Sequence, residues 1–162
     1  MPVFNNVFLE NTPDGKQRLS PNVLMKVGPV VPIEVSLPTS LVTAYTQLHK
    51  PLPPPEAGLV LIDTGATRSC VDDDVIRKLG VSPIRQGEVN NTTGKHTVNI
   101  YPAHFKFPSM KNFEIDFTSA IGVNIRTQKV NNQSIIALIG RDVLSRCTLI
   151  YNGPMGTFTL AI

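Results

Sequence analysis

The chain has 162 residues, a formal net charge of +3 and 41% hydrophobic residues, which suffices for one domain with a real core. Its basic residues form no run and do not alternate with aromatic residues, so nucleic-acid binding has little support. No segment is apolar over the length that spans a membrane, and no basic region followed by an apolar stretch begins the chain, so a soluble cytoplasmic protein is expected. The two cysteines, Cys70 and Cys147, lack metal-ligand spacing and are expected to be buried free thiols.

The first third of the chain predicts peripheral structure and two strands. Residues 1–20 are polar and predict an N-terminal arm or loop. Apolar alternation between Pro21 and Leu37 predicts two strands, the second of which is expected to pair with a strand at 58–62. The Pro-rich segment 38–56 reads as weakly helical or irregular and then extended. It is either an inert surface loop or the border of a cleft or subunit contact.

Residues 59–67, Leu-Val-Leu-Ile-Asp-Thr-Gly-Ala-Thr, are the most informative stretch. The apolar run predicts a strand buried on both faces, and a buried strand that ends in an acid needs a reason for that acid. Gly65 permits a sharp turn, the Thr64 hydroxyl can bind neighbouring backbone, and Ala66 allows close packing. These residues hold the carboxylate of Asp63 in place. Taken alone, the tripeptide also fits an ordinary turn with a capping Asp.

The second half of the chain reads mostly as strands. Residues 72–80 predict a short helix whose acids complement the helix dipole rather than bind a metal. Residues 88–100 predict a β-hairpin with a polar tip, and alternating phenylalanines from 105 to 117 predict further strands. The run 135–139 predicts a second buried strand, which breaks at Gly140 and enters a helical turn. Residues 149–162 predict a final hairpin.

The two buried strands, each with its motif, resemble the catalytic loop and bracing segment of the retropepsin-like aspartic proteases. In that family, Asp-Thr-Gly-Ala follows one apolar strand, and Gly-Arg-Asp or Gly-Arg-Asn follows a later one. Residues 146–150 resemble the closing strand of such proteases, and the extra strand after it resembles bacterial-type more than viral members. The resemblance implies an all-β fold, a closed barrel with one or two short helices. Since bilobal relatives carry two Asp-Thr-Gly copies, a half-sized chain with one copy implies a homodimer.

The resemblance also assigns roles to residues. Asp63 is the catalytic residue, while Thr64 joins a hydroxyl lattice across the dimer, Gly65 contacts substrate through its backbone and Ala66 forms the cleft floor. Gly140, Arg141 and Asp142 support the catalytic loop from the second strand.

One position departs from the viral pattern. Thr67 stands where viral enzymes have a second acid that pairs with the arginine. The partner of Arg141 is therefore expected to be Asp142 or the acids at 72–74.

The implied chemistry is peptide hydrolysis without a metal or cofactor. Two Asp63 carboxylates that meet at a two-fold axis cannot both be ionised, so they share one proton and activate water by general acid–base catalysis. The hairpin 88–100 is the expected flap over an extended peptide or protein substrate, with Thr92, Thr93, Gly94 and Lys95 at its tip. A catalytically silent module that dimerises and binds peptides is the alternative.

Overall fold

The computed structural model describes residues 2–91, 94–111 and 113–162. Within these residues the chain forms thirteen strands and four helices. The strands are β1 Val3–Val7, β2 Leu9–Asn11, β3 Gln17–Leu19, β4 Val30–Ser36, β5 Glu56–Ile62, β6 Cys70–Asp72, β7 Arg85–Asn91, β8 Gly94–Lys106, β9 Glu114–Val123, β10 Lys129–Val130, β11 Gln133–Ile139, β12 Thr148–Asn152 and β13 Thr157–Ala161. The helices are α1 Pro21–Val27, α2 Thr39–Gln47, α3 Asp73–Lys78 and α4 Arg141–Leu144. None of the helices described is long and apolar enough to cross a membrane.

Six strands close into a barrel. Their order is β11, β5, β4, β8, β9 and β6, and β6 pairs again with β11. Two of the pairings, β11 with β5 and β6 with β9, are parallel, and the others are antiparallel. The prediction of an all-β fold with a closed barrel is therefore confirmed. The helices number four among the described residues rather than one or two, and each has nine residues or fewer.

The two apolar runs of the sequence form the neighbouring strands β5 and β11. Leu61 pairs with Leu138 and Ile62 with Ile139 in parallel register. Val60 and other residues of these strands are fully buried, as expected for strands covered on both faces. Because the strands are parallel, the segments that follow them emerge at the same end of the barrel. This arrangement confirms the predicted pair of buried strands.

The predicted N-terminal arm is wrong, because part of it is a paired strand. Strand β1 pairs antiparallel with β13 along its whole length, in a three-stranded sheet of order β1, β13, β12. The rings of Phe4 and Phe8 lie 5.8 and 6.4 Å from that of Phe158. Asn5 and Asn6 interrupt the apolar residues of this edge strand, so its sequence shows no clear alternation, and pairing with β13 fixes its conformation.

The first strand predicted between Pro21 and Leu37 is also wrong, since this part of the chain is helix α1. Pro21 lies in the first turn of α1. The N–H groups of this turn have no partner within the helix, so the missing N–H of proline costs no helical hydrogen bond. Leu24 is fully buried, whereas Met25, one of the alternating apolar residues that predicted the strand, is 70% exposed. Gly28, at φ +72°, ends the helix. The second predicted strand is confirmed as β4, which pairs with β5.

Several local predictions are confirmed. Asp72 caps α3 by accepting hydrogen bonds from the N–H groups of Asp74 and Val75, and Gly80 follows at φ +79°. The segment 38–56 contains helix α2 and then a stretch without regular structure. Strands β7 and β8 form the predicted hairpin, and β12 and β13 form the terminal one.

Candidate active site

The carboxylate of Asp63 is held by the backbone that follows it. Asp63 comes directly after β5, and its N–H donates to the carbonyl of Ile139 at 2.9 Å. Its Oδ1 accepts hydrogen bonds from the N–H groups of Gly65 at 2.8 Å and Ala66 at 3.2 Å. A Cβ at position 65 would lie 3.1 Å from this Oδ1, so glycine keeps the turn tight. The half-buried carboxyl group is thereby oriented and leaves its second oxygen available for chemistry.

The residues that follow strand β11 form hydrogen bonds with this loop. The N–H of Arg141 donates to the carbonyl of Ala66 at 2.9 Å, and the N–H of Asp142 donates to the carbonyl of Thr67 at 3.2 Å. These bonds use the first N–H groups of α4, which have no partner inside the helix. The helix start therefore ties the two loops together.

The Arg141 side chain has a different partner from the one predicted. Its guanidinium donates to the carbonyl of Thr64 at 3.1 Å and to the hydroxyl of Thr67 at 2.9 Å. The expected pairing with Asp142 or with the acids at 72–74 is wrong, because those carboxylates bind other groups. Asp72, for example, accepts hydrogen bonds from backbone N–H groups on both of its carboxylate oxygens. Thr67 thus takes the place of an acid as an acceptor for Arg141.

Ser69 is a supporting residue that the sequence analysis missed. It is 1% exposed, and its hydroxyl donates to Oδ1 of Asp142 at 2.8 Å and accepts from the N–H of Gly140 at 3.1 Å. The N–H of Ser69 also donates to Oδ2 of Asp142 at 2.9 Å. A single serine before a short strand carries no pattern that marks it, so only the tertiary structure identifies its role.

Gly140 is required where the two loops approach most closely. A Cβ at this position would lie 2.6 Å from the carbonyl carbon of Arg68, which is backbone and cannot move aside easily. The glycine therefore lets strand β11 end against the segment that follows the Asp63 loop.

Both cysteines are free, as predicted, and Cys70 is buried while Cys147 is half-buried. Burial, together with the nearby carboxylates of Asp142 and Asp63, raises the pKa of the Cys70 thiol to about 11. This thiol is neutral at physiological pH and is a poor nucleophile. Of the Cys70 thiol and the Asp63 carboxylate, the carboxylate is thus the better candidate for a reacting group.

The hairpin of β7 and β8 is anchored to the same region by an apolar cluster separate from the main core. Buried Cys70, Ile100 and Ile121 form its centre, and the partly buried residues around them are Val89, Val98, Val123 and Leu138. Leu138 directly precedes Ile139, and the carbonyl of Ile139 accepts the hydrogen bond from the Asp63 N–H. The base of the hairpin therefore lies close to the Asp63 loop.

The predicted flap tip lies partly outside the described residues. Gly94 is exposed and has φ +123°, and Lys95 is exposed with its Nζ 3.8 Å from a carboxylate oxygen of Glu88. Thr92 and Thr93 lie outside the described part of the chain. Contact of this tip with a substrate stays a prediction. The same holds for the hydroxyl lattice of Thr64, which needs a second copy.

No family model and no curated protein matches this chain. Among solved structures, it is similar to a retropepsin-like aspartic protease from Rickettsia conorii, with 13% identity, a TM-score of 0.41, and coverage of 98% of this chain and 90% of that one. It is also similar to the Simian Foamy Virus (mac) protease, with 13% identity, a TM-score of 0.39, and coverage of 70% and 91%. Likenesses at this level carry no weight for function, so the case rests on the geometry around Asp63.

Replacing Ser69 with alanine should lower the free energy of unfolding by about 1–3 kcal/mol. The change leaves the Gly140 N–H buried without its acceptor and removes a donor from Asp142. Chemical denaturation followed by fluorescence or circular dichroism measures the effect. Ser145→Ala is the matched control, because this exposed hydroxyl makes only a 3.5 Å contact. Equal stability of the two variants would contradict the supporting role of Ser69.

Proposed function

We propose that this protein is an aspartic endopeptidase that acts as a homodimer. The observation that carries the proposal is the Asp63 carboxylate, which two backbone N–H groups orient at the end of a central barrel strand. The start of α4 and the Arg141 guanidinium brace the loop that carries it. Such support from several directions is what a site needs to hold a reacting group in place.

The chemistry requires two copies of the chain. One carboxylate cannot both take a proton from water and donate one to the peptide carbonyl. Two Asp63 side chains that face each other across a two-fold axis share one proton, so one acts as base and the other as acid. Water then attacks the carbonyl without a covalent intermediate.

The outer edge of strand β12 offers a surface for the second copy. The N–H of Phe8 donates to the carbonyl of Gly156 at 3.0 Å, so the even-numbered residues of β13 bond to β1. Odd-numbered residues such as Thr159 therefore bond to β12. By the same alternation, the main-chain groups of Leu149 and Tyr151 point to the outer edge of β12. No strand pairs with that edge in the described part of the chain.

The substrate in this proposal is an extended peptide or protein segment, which the hairpin of β7 and β8 covers as a flap. The test is digestion of a peptide library at several pH values, with Asp63→Asn as the control. Cleavage by the natural chain and none by the variant supports the endopeptidase. Binding of peptides without cleavage would instead indicate the silent peptide-binding module.

Replacing Gly94 with valine is expected to reduce peptide hydrolysis much more than stability. No atom of the described residues lies within 4 Å of a Cβ at this position, so the cost comes from the backbone at φ +123°, which valine rarely adopts. A strained tip hampers closure over substrate while the core stays unchanged. The measurements are kcat/KM and the melting temperature of both proteins.

Gly15→Val is the matched control for this variant. Gly15 also has a positive φ, +77°, and within the described part of the chain no atom lies within 4 Å of a Cβ there, but it lies in the turn between β2 and β3. Its replacement should change stability by a similar amount and leave hydrolysis unchanged. Equal losses of activity in the two variants would show that the hairpin tip does not act as a flap.

A further inference from the structure

Strand β9 leaves one side of the barrel wall open. Strand β8 pairs with β9 from Glu114 to Ile121, but β6 pairs only with Ile121–Val123 at its end. Over residues 114–120, one edge of β9 thus has no neighbouring strand among the residues described. Near the end of this stretch the Arg68 guanidinium donates to the carbonyl of Ser119 at 2.6 Å, so the open part of the edge lies before it. An unpaired edge presents main-chain donors and acceptors that can pair with another segment.

The register shows which groups are unpaired. The N–H of Phe107 donates to the carbonyl of Phe113 at 3.1 Å, so residues 113, 115 and 117 bond to β8. Glu114 and Asp116 therefore direct their N–H and C=O groups to the open edge. No hydrogen bond to these main-chain groups occurs within the described residues.

A groove runs along this edge. Two adjoining hollows of about 330 and 400 Å³ share Ile115, Asp116, Val143 and Arg146 as lining residues. Val143 and the half-buried Ile115 provide apolar contact, and Arg146 stands exposed on the helix side. A strand added to β9 would direct alternate side chains into the groove. Aliphatic side chains suit the groove, because Val143 and Ile115 line it and the guanidinium groups of Arg68 and Arg146 disfavour a cation there. The carboxylate of Asp142, which also lines it, already accepts hydrogen bonds from Ser69.

Acidic side chains line the other face of the open edge. Glu114 and Asp116 alternate with the inward residues, and their carboxylates lie 3.4 and 3.2 Å from the two ring nitrogens of His104 on β8. Burial would raise the pKa of Asp116, but hydrogen bonds from Thr39 and His104 outweigh burial and hold this pKa below its usual value. Asp116 is therefore ionised at neutral pH. A second β9 paired antiparallel at this edge would bring like charges together, which disfavours another copy as the occupant.

We propose that the open edge of β9 is a docking site for an extended segment of a partner protein that alternates lysine or arginine with aliphatic residues. The main chain of that segment would pair with Glu114 and Asp116, its aliphatic side chains would fill the groove, and its basic side chains would face the two acids. Asp142, which helps to support the Asp63 loop, also lines one end of the groove, but the segment would pair with Glu114 and Asp116, and the inference does not depend on the proposed hydrolysis.

Amide hydrogen exchange measured by NMR tests the proposal on the full chain carrying Asp63→Asn, which prevents cleavage of the probe. The probe is a capped peptide of about six residues that alternates lysine with valine. In the free protein, the amides of Glu114 and Asp116 should exchange quickly while those of Ile115 and Phe117 are protected. The peptide should protect the amides of Glu114 and Asp116, and a glutamate–valine peptide of equal length should bind about fivefold to tenfold more weakly.

Charge-reversal variants complete the test. Glu114→Lys should weaken binding of the lysine–valine peptide about threefold or more, whereas Asp14→Lys, in the turn between β2 and β3, makes the same change of charge away from the groove and should not. Equal binding of both peptides would overturn the proposal. Slow exchange of Glu114 and Asp116 without peptide would do so too, because it would show that a second copy or another segment already covers the edge.

Discussion

Replacing Asp63 with asparagine is expected to reduce peptide hydrolysis by at least roughly 10²–10⁴-fold, the range that general acid–base catalysis supplies. The amide oxygen of asparagine can still accept the N–H groups of Gly65 and Ala66, which Oδ1 of Asp63 accepts in the natural chain. The loop should therefore keep its shape while the carboxyl proton is lost. Initial rates on a cleaved library peptide, together with circular dichroism and sedimentation of both proteins, measure the effect.

Asp14→Asn is the control for this variant, because it removes a carboxylate from an exposed turn. Its activity should equal that of the natural chain. An Asp63→Asn protein that is free of contaminating protease and cleaves peptides at the natural rate would refute the proposed function. Loss of folding in the variant would instead show that the carboxylate is needed for the loop, and Asp63→Ser would then separate the two roles.

The central strands could be predicted from sequence because local pattern and tertiary structure agree there. The apolar runs before Asp63 and Gly140 are too short for typical helices and are bounded by turn residues. Burial on both faces is the state in which such runs are stable, and β5 and β11 lie side by side in the barrel. The same agreement marks α3, where capping acid, basic last turn and following glycine all indicate one short helix.

The parts that could not be predicted depend on distant partners. Strand β1, Val-Phe-Asn-Asn-Val, has two asparagines between its apolar residues and forms because β13 is available to pair with it. In α1 the alternation of Val23, Met25 and Val27 matched a strand by chance, and the burial of Leu24 against the rest of the protein decided for a helix. Each of these segments is short and peripheral, so its own residues specify its conformation weakly.

The candidate active site shows the same contrast between features set by local sequence and features that depend on distant partners. Asp63 and its turn follow from a local motif, whereas the bonds of Arg141 to Thr64 and Thr67 depend on how two loops meet. A charge-pairing rule favours a carboxylate as the partner of an arginine. Here the geometry of the loop supplies a carbonyl and a hydroxyl instead.

The dimer can be tested at the edge of β12. Ile150 is 58% exposed, and none of the residues of strands β1, β12 and β13 is charged. If two β12 strands pair antiparallel across a two-fold axis, Ile150 of each copy lies near the axis as a pair without mutual hydrogen bonds, where side chains approach most closely. Ile150→Lys then places two ammonium groups against each other, which opposes pairing.

We expect this variant to dimerise about tenfold more weakly and to lose hydrolysis in proportion at low concentration. The activity of the natural chain should likewise fall on dilution, since a separated protomer has one Asp63 and cannot complete the site. Raising the concentration of the variant should restore its specific activity, because its own site residues are unchanged. Sedimentation velocity and activity measured over the same concentration series test both statements.

Ile84→Lys is the matched control, because Ile84 is 57% exposed and lies outside the terminal sheet. It makes the same chemical change at the same exposure, so any general effect of a surface lysine on solubility or stability should appear in both variants. Only the change at Ile150 should shift the monomer–dimer equilibrium. A natural chain that sediments as a monomer and is fully active at that concentration would refute the shared site, and an Ile150→Lys protein that dimerises normally would place the contact on another surface.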